Sequence, residues 1–241
     1  MPHATITEQA FLAPAKADPY RNTNSLEFGF RAKRFRHVQR LIETILSERG
    51  TADILDLGGT ETYWKIGEDF IKANRHRLRF TIVNTEDQEI EQRDVFGFHK
   101  DSATNPSLFE GRRFDLVHSN SVIEHVGSWL DMVDFAENTR RLAPRYYMQT
   151  PNFWFPYEPH FRTAGFQYLP ARVRERLIMR YSLGFFRRIG TIEEARDIIY
   201  HHHLLSTREI RRLFPDATVR HEKVAGLNKS IIAIRDVPAG R

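Results

Sequence analysis

In "ILDLGGTETYWKIG", residues 54–67, Asp56, Gly58 and Gly59 close an apolar run. An acid at the end of a buried strand, followed by two residues without side chains, can set an anionic group and bare backbone against a ligand. The same residues would also make a tight turn between two core elements. The spacing is not G-x-G-x-x-G and no G-K-[ST] follows, so a dinucleotide pyrophosphate cradle or a P-loop is poorly supported. An acid ahead of the glycines repels phosphate and suits a cationic ligand. Three further positions point the same way. Asn84 and Glu86 in "VNTE" offer acceptors to a ribose diol. In "HKDSAT", Asp101 can accept from an exocyclic amine and the Ser102 amide can face a ring nitrogen. Asn120 lies at the tip of the apolar run that leads into "HSNSVIEHV".

These groups act together only if each ends a neighbouring strand of one parallel sheet, where ligands sit beyond the carboxyl ends. The chain supplies such strands. "ADILDL", "LRFTIVN", "VFGFHKD", "RFDLVHSN" and "RYYMQT" read as five short strands. "ETYWKIGEDFIKANR" and the amphipathic "SWLDMVDFAENTRRLAP", stopped by Pro144, read as helices between them. Strand and helix alternate from 53 to 150, the pattern of a parallel sheet covered on both faces. Ahead of it, Phe35, Val38, Leu41, Ile42, Ile45 and Leu46 recur at helical spacing and Gly50 ends the helix. Residues 1–24 read as loose and polar. After it, 151–170 hold four prolines and seven aromatics in no periodic order, and helical patterns follow around 171–182 and 191–200. Ser206 and Glu209 form a capping-box arrangement before a last helix. "ATVRHEKV" and "KSIIAIRDV" then read as a terminal antiparallel pair, making seven strands in all.

The 241 residues suit one α/β domain with additions. Within it the segments divide as an extension and helix (1–50), a core (51–150), an aromatic and helical insertion (151–205), and a closing helix and strand pair (206–241). Lys plus Arg is 36 against 31 acids, a net charge of +5. That charge is interrupted by apolar residues, as on solvated helix faces. There is no cysteine, which excludes disulfides, thiolate catalysis and Cys-ligated metal. No secretory signal and no membrane span is read from the sequence, and a cytoplasmic location is expected.

"ILDLGG", "VNTE", "KDSAT" and "FDLVHSNSVIEHVGSW" together resemble the successive motifs of class I S-adenosylmethionine-dependent methyltransferases of the broad type-11 kind, over roughly residues 30–150. The resemblance implies a doubly wound, seven-stranded, mostly parallel Rossmann-like sheet with an antiparallel C-terminal strand. It implies S-adenosyl-L-methionine as cofactor. Asp56, Gly58 and Gly59 would hold its methionine part, Asn84 or Glu86 the ribose, and Asp101 and Ser102 the adenine; Asn120 would line the cleft. Glu61 or Thr62 stands where the family has a third small residue.

Methyl transfer from a sulfonium asks the protein to align nucleophile, methyl and sulfur. Tyr63 and Trp64 could face the cation, or begin a core-facing helix. An oxygen or nitrogen acceptor often needs a proton acceptor; Glu124, His125 and His160 are the candidates. The aromatic insertion reads either as a substrate-shaping lid or as a small subsidiary core. His201, His202 and His203 are consecutive and cannot share one face, so no metal is expected. The acceptor is expected to be a small molecule or a glycan or lipid precursor. Alternatives are an RNA methyltransferase, suggested by an isoelectric point near 9.5, a catalytically silent module that binds the cofactor, and a nicotinamide oxidoreductase, which lacks its glycine spacing.

Overall fold

Why the chain alternates is visible from its first helix onward. The structure, a computed structural model, describes residues 26–237, and of Leu26 and Glu27 the backbone only; the N-terminal stretch expected to be loose lies outside those residues. Helix α1 (Leu26–Arg49) buries Phe35, Val38, Leu41, Ile42, Ile45 and Leu46 along one face. Gly50 ends it at φ +80°, with its N–H on the Leu46 carbonyl at 3.0 Å; the left-handed conformation there suits a residue without Cβ.

Strand β1 (Ala52–Leu57) follows, then α2 (Glu61–Trp64), a 3₁₀ turn (Lys65–Gly67) and α3 (Glu68–Asn74). Next come β2 (Leu78–Asn84), β3 (Phe96–Lys100) and β4 (Leu116–Asn120). A 3₁₀ turn (Ile123–His125) leads to α4 (Trp129–Leu142), capped by a reciprocal Ser128–Asp131 box, and to β5 (Arg145–Pro151). The insertion holds a two-residue hairpin, β6 (Tyr157–Glu158) and β7 (Thr163–Ala164), then α5 (Ala171–Arg180) and α6 (Ile192–Tyr200). Helix α7 (Thr207–Leu213) carries the expected Ser206–Glu209 capping box, and β8 (Thr218–Val224) and β9 (Leu227–Asp236) close the chain.

The seven-stranded sheet runs β3-β2-β1-β4-β5-β9-β8. Neighbours from β3 to β5 are parallel, while β9 is antiparallel to both β5 and β8. Strand order reverses between β1 and β4, which sets a crevice beyond their carboxyl ends. Each face has its own core. Phe35, Ile42, Trp64 and Phe80 pack on one side, and Leu57, Phe135, Leu142 and Phe214 on the other. Hence β1 is almost wholly buried along its length, as expected of a central parallel strand.

The insertion makes a third core from Phe161, Phe166, Ile178, Phe186, Ile189 and Ile198. The aromatics of the insertion divide by position. Phe161 stacks on Phe166 and Phe186 inside that core, whereas Phe155 and Tyr157 line a cavity against the sheet.

The helix expected over 61–75 is broken. The Phe35 ring presses on Gly67, where a Cβ would stand 1.9 Å from its Cζ. The chain turns there in order to admit the ring. Gly67→Ala should therefore cost about 1–3 kcal/mol through overpacking against the buried Phe35 ring. Urea unfolding should give a lower midpoint at unchanged slope.

Candidate functional site

At the end of β1, Asp56 faces inward. It is fully buried, its Oδ2 accepting from the Trp64 indole N–H at 2.8 Å and its Oδ1 from His118 Nδ1 at 2.7 Å. Its carboxylate thus bridges β1, β4 and α2 beneath the turn. The glycines answer to that arrangement. A Cβ on Gly59 would lie 1.8 Å from Asp56 Oδ2. Gly58 has φ +72°, and a Cβ there would meet Val122 Cγ1 at 2.4 Å. Tyr63 and Trp64 are buried in the core and pack on the His118 ring. The core-facing alternative holds for both.

The remaining rim residues come together. Asn84 Nδ2 donates to the Gly59 carbonyl at 3.1 Å and its Oδ1 accepts from the Glu86 amide at 3.1 Å. Asp101 N–H bonds the Asn84 carbonyl at 3.2 Å. Gly58, Asn84 and Asp101 therefore lie side by side across β1, β2 and β3, with Glu86 just beyond. Asp101 accepts from the Ser102 amide at 2.7 Å and from Asn105 Nδ2 at 2.9 Å. The Ser102 amide is thus turned to its neighbour's carboxylate. Asn120, at the tip of β4, has a buried Oδ1 with no hydrogen-bond partner.

Two supports escaped the sequence reading. Glu61 is buried and accepts from the Glu91 and Gln92 amides at 2.7 and 3.1 Å, pinning the loop after β2. Asn138 on α4 holds the loop after β3 by donating to the Ala103 and Asn105 carbonyls at 2.7 and 2.8 Å. An acid just after a glycine turn was the only signal for the first; the second had none.

Glu124, His125 and His160 gather at the junction of the sheet and the insertion. Glu124 is fully buried, its Oε2 accepting from Thr150 Oγ1 at 2.9 Å. His125 Nδ1 meets the His201 carbonyl at 3.0 Å, and His160 Nδ1 meets Glu158 Oε1 at 2.7 Å. His202 joins them, its ring 4.7 Å from His125 and 4.9 Å from His160. Burial pushes His125 down to about 4, with Glu124 opposing it, and takes His202 down to about 2, helped by the two neighbouring rings. Of the consecutive histidines, His202 alone is buried.

His160 also lines a cavity of about 340 Å³ between α1, the ends of β4 and β5, and the insertion. Its walls include Arg31, Arg34, Arg162 and Lys229, and no carboxylate among the described residues. Glu222 approaches Arg34 at 3.9 Å and Lys229 at 3.7 Å from behind.

The strand order and the antiparallel closing strand define the fold of class I S-adenosylmethionine-dependent methyltransferases. No family model matches the sequence, and no curated protein matches it. Among solved structures the chain is similar to an O-methyltransferase family protein from Burkholderia thailandensis, at 14% identity and a TM-score of 0.46, covering 92% of this chain and 62% of that one. This chain thus spans less than two thirds of that protein. It is also similar to the N-methyltransferase NodS from Bradyrhizobium japonicum WM9 in complex with S-adenosyl-L-homocysteine, at 14% identity and a TM-score of 0.47, covering 93% and 94%. A third is the magnesium protoporphyrin IX methyltransferase from Synechocystis PCC 6803 with bound SAM, at 9% identity and a TM-score of 0.48, covering 92% and 86%. The fold assignment rests on the strand order, to which these likenesses add no argument.

Removing the Asp56 carboxylate would leave two buried N–H donors without acceptors. Asp56→Ala should lower stability by about 3 kcal/mol, measured by denaturant unfolding, and Gly59→Ala should be comparably damaging because its Cβ has no room.

Proposed function

We propose that the protein is an S-adenosyl-L-methionine-dependent methyltransferase acting at oxygen or nitrogen of a small molecule or of a glycan or lipid precursor. The observation that carries this reading is the convergence of Gly58, Asn84 and Asp101 on one rim at the reversal of strand order. The residues fit such a cofactor. Bare backbone at Gly58 and Gly59 admits close approach, the Glu86 carboxylate would take the ribose diol while Asn84, its amide engaged by Gly59 and Glu86, positions it, and the orphaned Asn120 Oδ1 asks for a donor. Asp56 acts by positioning the turn, since its own oxygens are engaged.

When bound, the cofactor supplies an electrophilic methyl group on a cationic sulfur. The chain's part is to hold the acceptor in line and to exclude water. The cavity beside Ser121 and Gln149 suits this, opening at the carboxyl ends of β4 and β5. Its size favours a small acceptor.

Calorimetry with S-adenosylhomocysteine should register binding that Gly58→Val removes; no binding by the native chain would overturn the cofactor reading. His160→Ala should lower turnover by roughly 10²-fold or more while sparing S-adenosylhomocysteine affinity. Incubation with methyl-labelled cofactor and fractionated host-cell extract should place the label in a small-molecule, glycan-precursor or lipid-precursor fraction. Label in RNA instead would contradict the acceptor class.

A further inference from the structure

Glu124 poses a problem that its neighbours can solve. A carboxylate wholly removed from water is costly unless its oxygens are satisfied. Thr150 serves Oε2, but Oε1 is buried with no hydrogen-bond partner. Imidazoles lie beside it. One ligand atom from each of Glu124, His125 and His160 falls within 4.8 Å of the others. The His125 and His160 rings stand at 83° to one another, and His202 stands at 84° and 72° to them. These residues come from the turn after β4, from the β6–β7 hairpin and from the end of α6.

The orientation of the rings is fixed from behind. His125 Nδ1 is engaged by the His201 carbonyl and His160 Nδ1 by the Glu158 carboxylate. Such partners set the tautomer so that Nε2 takes up an ion, and they make the ring a better ligand. Glu158 is itself 2% exposed and also accepts from the Phe161 amide.

We propose that Glu124, His125 and His160 hold one divalent transition-metal ion where the insertion meets the sheet. Two imidazoles and one carboxylate suit Zn²⁺, Co²⁺, Ni²⁺ or Fe²⁺ rather than Mg²⁺ or Ca²⁺, which take oxygen ligands. Three protein ligands leave a position open for a further ligand, and His160 also lines the cavity where an acceptor would lie. In the reading proposed above, and resting on it, the ion would bind an acceptor hydroxyl and lower its pKa. The three expected proton acceptors would then act through the metal rather than as bases. His202 lies outside the ligand set and backs both histidine rings.

The test is a titration of the full chain, without an added histidine tag and freed of metal by a chelator, with Co²⁺ and then Zn²⁺. One Co²⁺ per chain should bind with visible absorption bands, be displaced by Zn²⁺ and raise the melting temperature. Glu124→Gln and His160→Gln should each weaken Co²⁺ binding at least roughly 10-fold, while His203→Gln, at an exposed neighbour, leaves it unchanged. Absence of saturable Co²⁺ binding by the native chain would overturn the site without recourse to any variant. Binding that survives both ligand substitutions would overturn it equally. S-adenosylhomocysteine calorimetry on the same samples separates the two readings. Metal without cofactor binding removes the enzyme reading alone, and cofactor without metal binding removes the metal site alone.

Discussion

The rim depends on one buried carboxylate. Asp56 lies between two parallel strands and a short helix, where an unpaired charge would cost several kcal/mol. The indole of Trp64 and the imidazole of His118 satisfy it. That pairing ties β1 to β4 at the place where strand order reverses, and it draws α2 down onto the sheet. Gly59 then has no room for a side chain, and Gly58 must take a left-handed conformation against Val122. Exposed backbone at the rim is therefore a consequence of what is packed beneath it. The glycines are demanded by the core before any ligand is considered.

This ordering explains what the sequence could and could not reveal. Strands and helices were legible because their apolar periods are local. The seven strands of the sheet and the capping box at Ser206 follow from spacing alone or from spacing plus one capping side chain. The break at Gly67 was not legible, because its cause is Phe35, a residue far away in the chain and on another helix. Asp56 was misleading in a related way. An acid closing an apolar strand points to a ligand when the strand end is open. Here both faces of β1 are covered, and the partners that claim the carboxylate lie eight and 62 residues away. Glu61 was read as a departure from a small-residue position, yet its length is what reaches the Glu91 and Gln92 amides.

The histidines carry the same lesson with the opposite sign. Three adjacent histidines draw the eye at 201–203, but adjacency disperses side chains. His201 caps the end of α6, His203 is exposed, and only His202 turns inward. The partners it finds, His125 and His160, stand apart in sequence and are joined only when the insertion folds back on the sheet. Nothing in composition marks them as a group.

What brings them together is the way the insertion is fastened. It begins at Asn152 and Phe153 and ends near Leu205, and those ends are joined: the Phe153 amide donates to the Leu205 carbonyl at 2.9 Å. Asn152 meanwhile reaches the Asn228 carbonyl at 2.7 Å through its side chain and the Lys229 carbonyl at 3.0 Å through its amide, anchoring the neck to β9. Close by, the His203 amide donates to the Glu124 carbonyl at 2.9 Å. A unit with its own core is thus held at a narrow neck directly above the ends of β4 and β5. Such a neck fixes position better than a broad polar contact would, because backbone bonds set direction as well as distance. The cationic cavity and the histidine cluster both lie across this seam, with one wall from the sheet and one from the insertion. Their geometry is therefore only as good as the fastening. A loosened neck would leave the rim of β1, β2 and β3 unchanged while separating His160 from His125. The rim and the seam are in this way held by different structural supports, the first by a buried carboxylate in the sheet and the second by backbone hydrogen bonds at the neck.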